Sequence, residues 1–209
     1  MELIEQLVEE HHLIDAVAGS LLRYATAAET RDVELAELKS YLTFFREYSS
    51  AFHHRGEEDL LFPVLVERAE IPGDSGPIQT IIGDHHAIEE LIGDLEKGGL
   101  EAVRAGKATE LVHLLWEHID KENSVLFPEA EKRLVRGGVR ELPGRSLPDA
   151  AREAQETAQD LIKRWEPMDD DMIRGDGCVV CSAFAETCSG IEKEWWNSWE
   201  WQYHRSLDE

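Results

Sequence analysis

The sequence predicts an all-α protein, an up-down-up-down four-helix bundle followed by a C-terminal helical extension. Three observations predict it. Apolar residues recur at helical spacing along four long stretches. Glycine- and proline-rich breaks separate those stretches. One motif occurs twice, in the second stretch and again in the fourth, so the chain reads as two helical hairpins built to one plan.

From Glu2 to about Ala28, Leu3, Leu7, Ile14, Val17, Leu21 and Leu22 form the stripe of a first helix. Thr30-Arg31-Asp32 marks a break, with Asp32 suited to cap the next helix. That second helix runs from about Val33 to Ala69 through Leu38, Tyr41, Phe44, Tyr48 and Phe52. Pro63 lies inside it and is expected to kink or restart it, since the ring removes a backbone donor and crowds the preceding turn. Residues 71–77, rich in Pro and Gly, form a loop. A third helix extends from about Pro77 to Lys97 and ends at Gly98-Gly99. A fourth runs from about Ala108 to Leu134 and is closed by Arg136-Gly137-Gly138. These four helices make a first unit, residues 1–136. In the remainder, residues 137–209, Pro143, Gly144 and Pro148 mark a linker, Pro148 to Trp165 reads as a fifth helix, and Met168 to Gly177 as an acidic loop.

A chain of 209 residues with 42% hydrophobic content is long enough for one sizeable core. Its formal charge of −23 argues against nucleic acid and anionic membranes as partners. No run of about 18 apolar residues suggests a membrane span. The opening Met1-Glu2-Leu3 leads directly into an amphipathic pattern rather than a secretory signal, so a cytoplasmic location is expected.

The doubled motif is His53-x₃-Glu57 with Leu61-Phe62-Pro63, and His118-x₃-Glu122 with Leu126-Phe127-Pro128. Residues four apart lie on one helix face, about 6 Å along the axis, so each copy aims an imidazole and a carboxylate at one point. A fainter echo precedes each copy: Glu10-His11-His12-Leu13-Ile14 and Asp84-His85-His86-Ala87-Ile88. Pooled in one bundle, the repeat supplies His11, His53, His85 and His118 with Glu57 and Glu122. Four imidazoles and two carboxylates fit a closed zinc site poorly. They suit two adjacent iron ions, or manganese, each taking two imidazoles, with the glutamates bridging. Within the doublets, His11 and His85 each stand three before the isoleucine of their echo, and His53 pairs with Glu57 as His118 does with Glu122. His54 and Glu58 form a neighbouring pair that would either hydrogen-bond the ligands or make an exposed ion pair.

In order and spacing, Glu10-His11-x-x-Ile14, His53-x₃-Glu57, Asp84-His85-x-x-Ile88 and His118-x₃-Glu122, with both Leu-Phe-Pro tags, resemble the hemerythrin-like, HHE cation-binding family across roughly residues 1–136. The resemblance implies a four-helix bundle around a non-haem di-iron centre. Members bind or reduce dioxygen, sense oxygen or iron, handle nitric oxide or peroxide, or help repair iron–sulfur clusters. Small molecules of this kind (O2, peroxide or NO) are the expected partners. Oxygen-carrying members have a fifth histidine four residues after the third-helix ligand. Here Glu89 takes that place, which brings the pattern nearer to the repair and nitric-oxide-responsive branch and leaves Glu89 as a candidate extra ligand or proton relay. Redox processing of a small ligand, its binding or sensing without turnover, and iron storage or delivery all remain open at this stage.

Other residues carry less chemistry. His113 stands five before His118 and points elsewhere, and Tyr24, Tyr41 and Tyr48 fall on core stripes. Cys178, Cys181 and Cys188 are one short of a four-thiolate set; ordinary reduced cysteines are favoured over a zinc site completed by His204 or a redox pair. Trp195, Trp199 and Tyr203 would share one helix face, packing on the bundle or joining two copies as a homo-oligomer.

Overall fold

A computed structural model describes residues 1–169, and it is helical throughout its regular structure. The expected cysteine and tryptophan clusters lie outside the described residues. Helix α1 spans Glu2–Thr30. Helix α2 covers residues 35–68 as one continuous helical path, and α3 spans Gly76–Arg104. Helix α4 covers residues 107–136, and α5 spans Asp149–Arg164. The helix α4 packs on α1 and α3, α2 packs on α3, and α5 lies along the seam between α1 and α2.

Most boundaries follow the periodicity, and two differ. The α2 helix begins at Leu35 with Glu34 at its cap, so Asp32 does not cap it. In α3 the expected stop at Gly99 is a kink: Gly99 takes φ 57°, open to a residue without Cβ, and helical structure resumes to Arg104. Both internal prolines sit where a helix restarts. Phe62 N–H bonds the Glu57 carbonyl and Phe127 N–H bonds the Glu122 carbonyl, each five residues back, and Pro63 and Pro128 enter the next α-turn at its start. A wide π-turn absorbs the missing donor and the ring without bending the bundle apart.

Two apolar clusters fill the interior. One contains Leu3, Leu7, Ile78 and Ile81 together with Leu61, Phe62, Leu126 and Phe127 of the two tags. The other holds Tyr24, Tyr41, Phe44, Tyr48, Ile92 and Trp116, so the three tyrosines are core residues as their spacing suggested. The α5 helix adds Ala151, Ala154, Ala158 and Leu161 to this second cluster. Trp165, just beyond α5, is buried against the Tyr24 ring and donates its indole N–H to Glu37 at 3.1 Å. Residues 149–165 are thereby part of the same core as the bundle.

Trp165→Ala should lower the unfolding free energy by about 3 kcal/mol in urea titrations, because it opens a cavity and removes one of the two donors to the buried Glu37. Trp165→Phe, which keeps most of the ring contact, should lose less than half of that.

Candidate metal centre

Between the two apolar clusters the bundle buries a layer of charge. His53, Glu57 and Glu122 have 0% exposure, His11 and His118 1%, and His85 2%. Four helices contribute to it: His11 from α1, His53 and Glu57 from α2, His85 from α3, His118 and Glu122 from α4. All six residues predicted from the sequence come together. Of their companions in the doublets, His12 and His86 are exposed. Glu89 is exposed as well, and His113 lies half-buried beside the Trp116 ring.

The wide turns determine which side chains face inward. Phe45–His54, Glu57–Leu61 and Glu122–Leu126 show i→i+5 bonding, an arrangement concentrated at functional sites. Each motif carboxylate sits at the start of such a turn. Glu57 approaches Nε2 of His53 at 3.6 Å and Nε2 of His85 at 3.3 Å. Glu122 approaches Nε2 of His118 at 3.3 Å and Nε2 of His11 at 3.0 Å. Each carboxylate therefore stands between a histidine of its own hairpin and one of the other.

The opposite ring nitrogens are held from outside. His53 Nδ1 donates to Glu10 at 2.9 Å, His85 Nδ1 to Glu58 at 2.7 Å and His11 Nδ1 to Asn123 Oδ1 at 2.8 Å. His118 Nδ1 faces Asp84 at 3.6 Å. An acceptor on Nδ1 fixes the tautomer and leaves the Nε2 lone pair pointing into the centre, as metal-binding imidazoles require. Phe62 and Phe127 of the tags stack on His85 and His11, at 6.4 and 5.5 Å between ring centres. The whole arrangement obeys an approximate two-fold repeat. The residue before His11 or His85 holds the histidine of its own hairpin. The residue after each motif glutamate, and the tag phenylalanine, hold a histidine of the other.

The interior atoms themselves are unsatisfied. Both carboxylate oxygens of Glu57 and of Glu122, and Nε2 of His11, His53, His85 and His118, are buried without a well-formed hydrogen bond among the described residues. Burial pushes Glu57 up to about 7 and Glu122 up to about 8. Burial drives His118 down to about 3 and His53 well below its usual value. Burial would lower His85 too, but the neighbouring Glu57 and the hydrogen-bonded Glu58 outweigh that and lift it to about 10. Two carboxyl groups buried among imidazole nitrogens are costly to desolvate without a metal cation and favourable with one. Three groups of these residues bring ligand atoms within 4.8 Å of one another: His11, His53, His118 and Glu122; Glu57, His85, His118 and Glu122; and His54, His85 and His118. The donor set fits divalent metal.

Three residues at the centre were only partly legible from sequence. Glu58 does not pair with His54 but holds His85. His54 is buried, stacked on His85 at 4.0 Å, rather than exposed in an ion pair. Arg145, from the linker, was not anticipated at all. Its backbone makes reciprocal hydrogen bonds with the Gln6 side chain, and its guanidinium reaches Glu10 at 2.6 Å and lies over the Phe52 ring. In the second hairpin the matching acceptor, Asp84, is held by Lys121 at 2.8 Å. Lys121 stands three after His118, and the position three after His53 is Gly56. A Cβ at Gly56 would lie 2.6 Å from Arg145 Nε, so its absence admits the arginine. The linker thus supplies the cation that the first hairpin lacks. That correspondence between Gly56 and Lys121 was the available signal.

Arg145→Ala should destabilise the protein by about 3 kcal/mol, since it leaves Glu10 buried without its cationic partner. Adding Glu10→Gln should restore most of the loss, read from urea unfolding of the single and double variants.

Comparison with curated proteins and with solved structures finds no match. The family model of the hemerythrin HHE cation-binding domain matches residues 2–130, a span that holds all six converging residues. With well over half of its length matched and a bundle of the corresponding helical architecture, the chain belongs to the hemerythrin HHE cation-binding domain family.

Proposed function

We propose that the protein holds two iron ions in this layer and uses them for redox chemistry on a small ligand: dioxygen, peroxide or nitric oxide. The observation that carries the proposal is the convergence of four carboxylate oxygens and four Nε2 atoms, all buried and all lacking a well-formed hydrogen bond. In this reading His11, His53, His85 and His118 would hold the ions together with Glu57 and Glu122, and residues 137–209 extend a metal-holding unit of residues 1–136. Nitrogen and oxygen donors without thiolate favour iron or manganese over structural zinc.

When bound, an iron pair supplies the electrons for reducing or reversibly binding such a ligand. The protein supplies the remainder. Glu10, Glu58, Asp84 and Asn123 orient the four imidazoles. The tag residues Leu61, Phe62, Leu126 and Phe127 close one side with apolar surface and keep water out. Burial of every candidate ligand to 2% exposure or less limits access to ligands of a few atoms. Glu89, at the place of an oxygen carrier's fifth histidine, is exposed, which favours the repair or nitric-oxide-responsive type over simple oxygen carriage.

Metal content per chain, with optical spectra before and after oxygen meets the anaerobically reduced protein, tests the assignment. About two irons per chain and an oxygen-dependent absorption are expected from two bridged ions; zinc alone, or no metal, would overturn it. Repeated turnover of peroxide or nitric oxide would identify an enzyme, and a stable adduct without turnover a binding protein. Glu57→Ala and Glu122→Ala should each empty the site, whereas Glu58→Ala should weaken binding by about 10- to 100-fold through loss of the His85 anchor.

Metal uptake must also displace the protons that Glu57 holds to about 7, Glu122 to about 8 and His85 to about 10. These groups bind more protons in the metal-free state, so affinity should rise with pH between 5 and 8. Each proton displaced contributes about tenfold per pH unit. Competition with a chelator at three pH values measures the slope, and a flat profile would contradict the displacement.

A further inference from the structure

Residue 54 breaks the two-fold plan. The position after His53 is His54, whereas the position after His118 is Ile119, a buried core residue. Helix packing at this register therefore accepts an aliphatic side chain, and the imidazole in the first hairpin answers some other demand. The π-helical run Phe45–His54 makes its placement possible. With i→i+5 bonding more residues share a turn, so neighbouring side chains diverge by less than the 100° of an α-helix, and both His53 and His54 turn inward.

We propose that His54 is a further metal-ligating residue, adding a third imidazole to the ion held by His85 and His118. The inference rests on the metal centre described above and extends it. The His54 ring lies on His85 with 7° between planes and 5.2 Å from His118, so it turns about its Cβ–Cγ bond to bring its lone pair onto an ion that they share. Ligand atoms of the three rings fall within 4.8 Å of one another. The bonding of His54 repeats that of the other four imidazoles with the nitrogens exchanged. Its Nε2 meets an outer partner, the Ser49 hydroxyl at 3.4 Å, and its Nδ1 is buried with no hydrogen bond among the described residues. A buried imidazole nitrogen left open in this way is unfavourable unless a cation takes its lone pair. Exposed Glu89 offers no competing ligand on this side. The two halves of the centre would then hold their ions unequally, with three imidazoles on the His85 side against His11 and His53 on the other.

The test uses the full chain, stripped of metal and titrated anaerobically with ferrous iron against a chelator series. His54→Ile copies the residue of the second hairpin. One ion should bind at least tenfold more weakly than in the unaltered protein while the other stays within about twofold. The metal-free variant should be no less stable than the unaltered protein, because an unsatisfied polar ring has been removed. Two ions bound at unaltered affinities would overturn the proposal and reduce His54 to a packed ring. Failure of the unaltered protein to bind a pair of ions would instead overturn the di-iron reading itself. A second measurement does not depend on the variant's folding. In zinc-loaded protein with ¹⁵N-labelled histidine, the His54 Nδ1 resonance should move to the metal-bound range, while His11, His53, His85 and His118 respond at Nε2. An unmoved His54 Nδ1 would overturn the assignment independently.

Discussion

The structure depends on the burial of two carboxylates, Glu57 and Glu122, at the centre of a helical bundle. Neither retains any exposure, and the oxygens of each face imidazole nitrogens at 3.0 to 3.6 Å. Such a layer would weaken an ordinary core by several kcal/mol. It is tolerable in a protein that binds cations there, and the two apolar clusters on either side supply the stability that the layer does not. The wide turns at Glu57–Leu61 and Glu122–Leu126 belong to the same solution. They direct the carboxylates inward and receive Pro63 and Pro128 at the restart of each helix.

Holding the imidazoles is shared between hairpins. Glu10 and Asp84 act within their own hairpin, whereas Glu58, Asn123 and the stacked Phe62 and Phe127 act across to the other. Neither hairpin can form its half of the centre alone, so assembly of the bundle and formation of the site are one event. The cross-hairpin contacts also explain the doubled Leu-Phe-Pro tag: its leucine and phenylalanine close the layer, and its proline restarts the helix after the wide turn.

Departures from the two-fold plan give the protein its individual character. In the first hairpin Gly56 stands where the second has Lys121, and the gap is filled by Arg145 from beyond the bundle. The linker is thereby tied to the metal layer through Glu10 and His53. The α5 helix is tied to the core by its alanines and by Trp165, with Glu37 receiving both the Trp165 indole and Arg164. His54 in place of an aliphatic residue is the other departure, and it makes the two halves of the centre chemically different.

Much of this was determined by local sequence. Helix number and order derive from apolar spacing and from Gly and Pro breaks, which act over a few residues. The six converging residues derive from a repeat whose copies must occupy equivalent positions. Even the preference for His11 over His12 and His85 over His86 is local, because one residue turns a helical side chain by 100°. Other features depended on tertiary structure. That His54 faces inward beside His53 depends on the π-helical run, which neighbouring packing selects and periodicity does not reveal. That Glu58 serves His85, that Asn123 serves His11, and that Arg145 replaces a missing lysine at Glu10 are pairings across 27 to 135 residues of chain, to different helices. Only the assembled bundle brings those partners within hydrogen-bonding distance, and no local pattern encodes the approach.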